Sequence, residues 1–176
     1  MKKERWLLAL AAGFGVAAVV YKLLSKDIPD NATAVEPFDM NRYLGKWYEI
    51  ARLPNRIEKD INHLTEEYSS NNNGTFKVIT KGYNTQKGEW KELSGTIKFG
   101  DRKGVGMLKV SYFGPFYANY NVLDIDPHYK YALVSGSGLD YLWILSRETK
   151  IPDDVKKQFL AQAIAIGFNI EKLEWV

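Results

Sequence analysis

Between Tyr48 and Arg147 the chain breaks into short runs in which apolar and polar side chains alternate, each run ended by turn-forming residues. Successive side chains of a strand point to opposite faces, so this pattern fits strands with one wet and one buried face. Tyr48–Arg52 and Thr65–Ser69 are the first two runs, followed by the turn Asn71-Asn72-Asn73-Gly74. In Thr75–Tyr83, Phe76, Val78 and Thr80 alternate with Lys77, Ile79 and Lys81, and a Lys87-Gly88 turn leads into Trp90–Phe99. Gly106–Phe113 alternates Leu108, Val110 and Tyr112 with Lys109 and Ser111, and Tyr117–Ile125, Tyr131–Ser135 and Tyr141–Arg147 complete the set. About eight short strands joined by tight turns predict an all-β fold, an up-and-down barrel or a sandwich. The five Trp, eleven Tyr and eight Phe agree, because aromatic side chains favour strands.

One helix is expected after the strands. Pro152 suits its first turn, Asp153 and Asp154 lie near the positive end of its dipole, and Val155, Phe159, Ala163 and Ile166 recur at helical spacing before a stop at Gly167. Ile170–Val176 reads as a last short strand.

The other end of the chain is different in kind. Lys2, Lys3 and Arg5 open it, and an apolar run from Trp6 to Leu24 follows, interrupted only by Lys22. The run falls between the h-region of a secretory signal, about 7–15 residues, and a spanning helix, roughly 17–25. No small-x-small cleavage site follows it at a suitable distance. Residues 1–26 therefore read as an uncleaved signal anchor, an apolar transmembrane helix, with a cleaved signal peptide as the alternative. Residues 27–41, with Pro29, Asn31, Thr33 and Pro37, read as irregular, and 27–37 as a linker to a domain over 38–176.

Charge follows the same division. The net charge is +3, but residues 1–26 hold five basic residues against Glu4 alone, which leaves −1 for the rest. No Lys/Arg cluster remains to bind nucleic acid. With no cysteine, disulfides, thiolate catalysis, Cys-ligated zinc and a lipid-bearing cysteine are all excluded.

Three stretches carry a family resemblance. Asn41-Arg42-Tyr43-Leu44-Gly45-Lys46-Trp47-Tyr48-Glu49-Ile50-Ala51-Arg52 resembles the G-x-W signature that opens the first strand of the lipocalins. Asn121-Val122-Leu123-Asp124-Ile125-Asp126 resembles their second signature, with Ile125 and Pro127 where Thr and Tyr are usual. Trp143-Ile144-Leu145-Ser146-Arg147 resembles the third, with its basic residue near the end of the eighth strand. The likeness runs through Lys81–Asn84, Lys109–Tyr117 and Asp140–Arg147 and is greatest to bacterial lipocalins of the outer-membrane-lipoprotein type. It implies an eight-stranded antiparallel up-and-down barrel with a C-terminal helix. It also implies carriage of a small lipid, a fatty acid or a lysophospholipid, at a bacterial membrane, facing the periplasm. The usual family member is tethered through a lipidated cysteine; here the apolar segment takes that place. A homodimer is a further partner to consider.

Alternation counted from Trp47 and Arg147 selects the inward side chains. The expected ligand-binding residues are Val78, Thr80, Ile97, Leu108, Val110, Tyr112, Tyr120, Val122, Trp143 and Leu145, in a wall that also takes in Glu49, Ala51, Tyr68, Phe76, Phe99, Val134 and Tyr141. A mainly apolar wall with a few polar groups is the usual make-up of a small-molecule site. Trp47 and Arg147 are expected to stack and close the base of the barrel. Catalysis has little to work with. His63 and His128 read as loop residues, no glycine loop fits a phosphate, and Glu66 and Glu67, adjacent on a strand, point to opposite faces. No catalytic residue, metal or cofactor is expected. A lipid-modifying enzyme acting through Glu49 and a pigment or haem binder are the alternatives.

Overall fold

A computed structural model of the chain describes residues 26–55 and 58–176. Residues 1–25, which hold the expected apolar helix, lie outside the described residues. Among the described residues no helix is long and apolar enough to cross a membrane, so the expected transmembrane helix has no support from them.

The alternating runs form eight strands: β1 (Gly45–Arg52), β2 (Ile61–Ser70), β3 (Phe76–Asn84), β4 (Glu89–Phe99), β5 (Met107–Phe113), β6 (Phe116–Ile125), β7 (Tyr131–Ser135) and β8 (Leu142–Ser146). Each pairs antiparallel with the next, and β8 returns to β1, so the sheet closes into a barrel without a free edge. A short helix α1 (Met40–Tyr43) precedes β1; the Asp39 carboxylate caps it by accepting from the Asn41 N–H at 2.9 Å. The irregular segment before α1 is tied to the barrel rather than free: Val35 N–H donates to the Val122 carbonyl and Gly106 N–H to the Val35 carbonyl, at 2.9 and 2.8 Å.

The barrel has a closed and an open end. Segment 35–44 lies at the closed end with the β2–β3, β4–β5 and β6–β7 turns. The β1–β2 loop and the β3–β4, β5–β6 and β7–β8 turns ring the open end.

Helix α2 (Asp153–Ile166) covers the outside of the wall. Its buried side chains Phe159, Ala163 and Ile166 pack on Ile50, Leu123, Leu133, Leu142 and Ile144, which the outer faces of β1, β6, β7 and β8 supply. Gly167 ends the helix at φ 113°, where a Cβ would be strained, and its N–H donates to the Ala163 and Ile164 carbonyls. The expected last strand is shorter than Ile170–Val176. A 3-10 turn takes Ile170–Lys172, and only β9 (Glu174–Trp175) pairs with β1, at Ala51 and Arg52.

Two expectations are corrected. His63 is not in a loop: it lies within β2, exposed, with φ 53°, where the pairing of β2 with β3 is irregular between Asn62 and Thr65. Ala51 does not face inward. The register of β1 against β8 shifts between Glu49 and Ala51, and this bulge resets the alternation. Ile50 and Ala51 both join the outer, helix-covered cluster, and Arg52 turns inward beside Glu49.

Candidate functional site in the barrel interior

The inner wall changes character from the closed end upward. Trp47, Tyr43, Val78, Ile97, Leu108, Val122, Val134 and Leu145 are at most 2% exposed and form a packed floor. Arg147 lies beneath it with its guanidinium carbon 3.9 Å from the centre of the Trp47 ring. Its N–H groups donate to the carbonyls of Arg42, Tyr43, Lys46 and Tyr129 at 2.9–3.1 Å. The Trp47 indole N–H donates to the Tyr43 carbonyl at 2.8 Å. One guanidinium thus joins α1, β1 and the β6–β7 turn.

Above the floor the wall becomes polar and solvent reaches it. Val110, Tyr112, Thr80 and Trp143 are half-buried. On β4 the inward side chains pass from Ile97, fully buried, to Leu93, 44% exposed. The inner wall thus runs from a dry floor to a solvent-reached mouth. Of the ten expected ligand-binding residues, Val78, Ile97, Leu108, Val122 and Leu145 belong to the floor. Thr80, Val110, Tyr112 and Trp143 line the accessible part, and Tyr120 stands between.

Hydroxyl and carboxyl groups, most of them buried, cluster between the floor and this accessible part. The Tyr120 hydroxyl meets the Tyr43 hydroxyl at 2.7 Å and accepts from Tyr68 at 2.9 Å, and the Tyr68 hydroxyl lies 2.5 Å from the Glu66 carboxylate. Thr80 and Tyr112 join hydroxyls at 2.5 Å. Burial holds all four phenols well above their ordinary range, so they act as neutral donors and acceptors. Arg52 donates to Glu49 at 2.7 Å and to the Ile61 carbonyl at 2.8 Å, bridging β1 and the start of β2. Glu58, on the β1–β2 loop, accepts from the Trp143 indole N–H at 3.1 Å.

Among the described residues, three carboxylates share this region with the Arg52 guanidinium. Burial, with the Glu58 charge adding to it, pushes Glu49 up to about 8 despite the Arg52 bond. Burial likewise raises Glu66 to about 7, against the opposing hydrogen bond from Tyr68. Glu66 and Glu67 do face opposite sides, since Glu67 is exposed.

Arg52, Glu58 and Glu66 were absent from the expected site. Glu66 was legible, because it lies two residues before inward-facing Tyr68 and shares its face. Arg52 was hidden by the bulge, and Glu58 by its place on a loop, where no period applies. His63 and His128 are both exposed, and among the described residues no group of His, Asp and Glu is placed to hold a metal ion.

Comparisons with known proteins agree with this architecture. The family model described as a lipocalin-like domain matches residues 38–176. The chain is 45% identical over 170 residues to outer membrane lipoprotein Blc of Escherichia coli K12, covering 97% of this chain and 96% of that protein. It is 41% identical over 150 residues to the protein of the same name in Vibrio cholerae, covering 85% and 88%. Temperature-induced lipocalin-1 of Arabidopsis thaliana is 33% identical over 147 residues, covering 79% and 78%. Among solved structures, insecticyanin of the tobacco hornworm superposes with a TM-score of 0.69 at 20% identity, covering 86% of each chain. The cockroach allergen Per a 4 gives 0.68 at 24%, covering 86% and 95%. The closed eight-stranded barrel, its C-terminal helix, the Trp47–Arg147 base and the match across residues 38–176 lead to one conclusion: the chain belongs to the lipocalin family.

Proposed function

We propose that this barrel binds and carries a small lipid, a fatty acid or lysophospholipid, at the bacterial cell envelope and catalyses no reaction on it. The observation that carries the reading is the gradient along the inner wall, from a dry apolar floor to a polar, solvent-reached mouth. An acyl chain extends over Val110, Tyr112, Leu93 and Trp143, with Val78, Ile97, Leu108, Val122 and Leu145 supporting the site from below and Tyr120 between. The head group meets Thr80, Arg52, Glu58 and Glu66. Among the described residues, a free carboxylate meets three acids and one guanidinium, Arg52, already paired to Glu49. A head group carrying both phosphate and ammonium finds a partner for each charge, which favours a lysophospholipid.

Placement at the envelope is supported by relatives named outer membrane lipoproteins. With no cysteine to bear a lipid, the run Trp6–Leu24 is the segment that would hold the barrel there. None of the relatives compared above carries the name of an enzyme. Neither histidine reaches the interior to ligate a haem, since both are exposed.

The test is mass spectrometry of whatever is extracted from protein purified without added lipid. An acyl-chain ligand supports carriage, with a phosphate-bearing head favouring the finer assignment. A tetrapyrrole, or no small molecule together with no binding of added lysophosphatidylethanolamine, overturns it.

A further inference from the structure

The β5–β6 turn at the mouth carries two aromatic rings that no described residue covers. Phe113 and Phe116 pair across its tip, flanking Gly114-Pro115, and are 72% and 79% exposed. Leu93 and Tyr117 nearby are 44% and 41% exposed. Apolar surface held in water at one end of a protein commonly marks a contact with another protein or with a membrane.

The path of the chain decides between these. Where the described chain begins, the Asp27 carboxylate accepts from Asn119 Nδ2 at 3.0 Å and its carbonyl from Asn121 Nδ2 at 2.9 Å. Asn119 lies on β6 three residues from Phe116, roughly 10 Å along the strand. Only Ser25 and Lys26 separate Asp27 from the apolar run that ends at Leu24. The described chain therefore begins beside the strand that carries the aromatic tip. A leash this short holds the tip at high local concentration over whatever the run enters, and keeps the closed end away from it.

We infer that the Phe113–Phe116 tip docks into the surface of a lipid bilayer, turning the mouth of the barrel toward the membrane. Phenyl rings at the level of the lipid head groups leave water without giving up any hydrogen bond. A lipid then passes from bilayer to barrel interior without crossing bulk water. The inference rests on residues 1–26 being the tether, and its link to transport rests on the lipid-carriage reading.

The chain has no cysteine, so Phe116→Cys and, at the closed end, Asn72→Cys each take a single nitroxide label. The full-length protein is reconstituted in vesicles of phosphatidylethanolamine and phosphatidylglycerol. The Phe116→Cys label should lose several-fold of its access to a water-soluble nickel chelate and gain access to oxygen, while the Asn72→Cys label should not change. In a second arm, Phe113→Ser/Phe116→Ser should take pyrene-labelled lysophosphatidylethanolamine from vesicles several-fold more slowly, at unchanged affinity for the dispersed probe. A water-accessible label at position 116 on vesicles overturns the docking. So does failure of the full chain to float with the vesicles, or shielding of that label without vesicles by a second copy of the chain. If the probe binds neither protein, carriage fails, while label depth still decides the docking.

Discussion

Arg147 and Trp47 meet at the base of the barrel, with the guanidinium carbon 3.9 Å from the indole centre and its N–H groups bonded to four backbone carbonyls on three segments of chain. Stacking in a half-buried setting contributes about 0.5–2 kcal/mol, and the carbonyls lose charged donors if the side chain goes. Arg147→Ala should lower stability by about 1–3 kcal/mol in denaturant unfolding and leave lipid affinity unchanged, because the packed floor separates it from the accessible part of the wall. Unchanged stability with lost binding would make Arg147 a ligand residue.

Val110 and Leu108 are neighbours on the inner face of β5, but only Val110 is reached by solvent. Val110→Trp should fill part of the accessible interior and weaken binding progressively as the acyl chain lengthens. Leu108→Trp forces an indole into the floor and should cost about 1–3 kcal/mol of stability before it alters binding. Titration with lipids of increasing chain length, paired with thermal unfolding, checks both. Equal affinities for Val110→Trp and the parent across the series would place the acyl chain elsewhere.

Tyr120 holds two other phenols at once, Tyr43 and Tyr68. Tyr68 keeps Glu66 as a partner when the central hydroxyl is removed, whereas the Tyr43 hydroxyl is left buried with none among the described residues. Tyr120→Phe should therefore destabilise by about 1–3 kcal/mol, a large effect for one oxygen atom, and Tyr68→Phe by less. The reverse order in chemical denaturation would refute this account of the network.

Glu49 and Glu66 make stability depend on pH in a definite sense. Both are raised from 4.5 in the fold, to about 8 and about 7, so the native state holds protons that the unfolded chain has lost. Stability from these groups therefore falls as pH rises from about 4.5 to about 8. Glu66→Gln removes its share: its melting temperature should match the parent near pH 4.5 and exceed it above pH 7. A difference that does not vary with pH would mean that Glu66 ionises normally in the fold.

The strands, the helix and most of the inward set were legible in the order of residues alone. Side-chain alternation is a local property of an extended backbone, so Val78, Thr80, Leu108, Val110 and Tyr112 could be assigned to one face without knowing any partner strand. Gly167 is another local case, since the reversal there needs a positive φ. The remainder depends on contacts between segments far apart in the chain. The bulge after Glu49 is set by how β1 pairs with β8, and one extra residue moves Ala51 out and Arg52 in. Glu58 reaches Trp143 only because the β1–β2 loop folds toward β8, 85 residues along the chain. The division of the inner face into dry floor and wet mouth belongs to closure itself. Side chains identical in period differ in exposure according to how far from the base the curved wall carries them, as Ile97 and Leu93 do on one face of one strand.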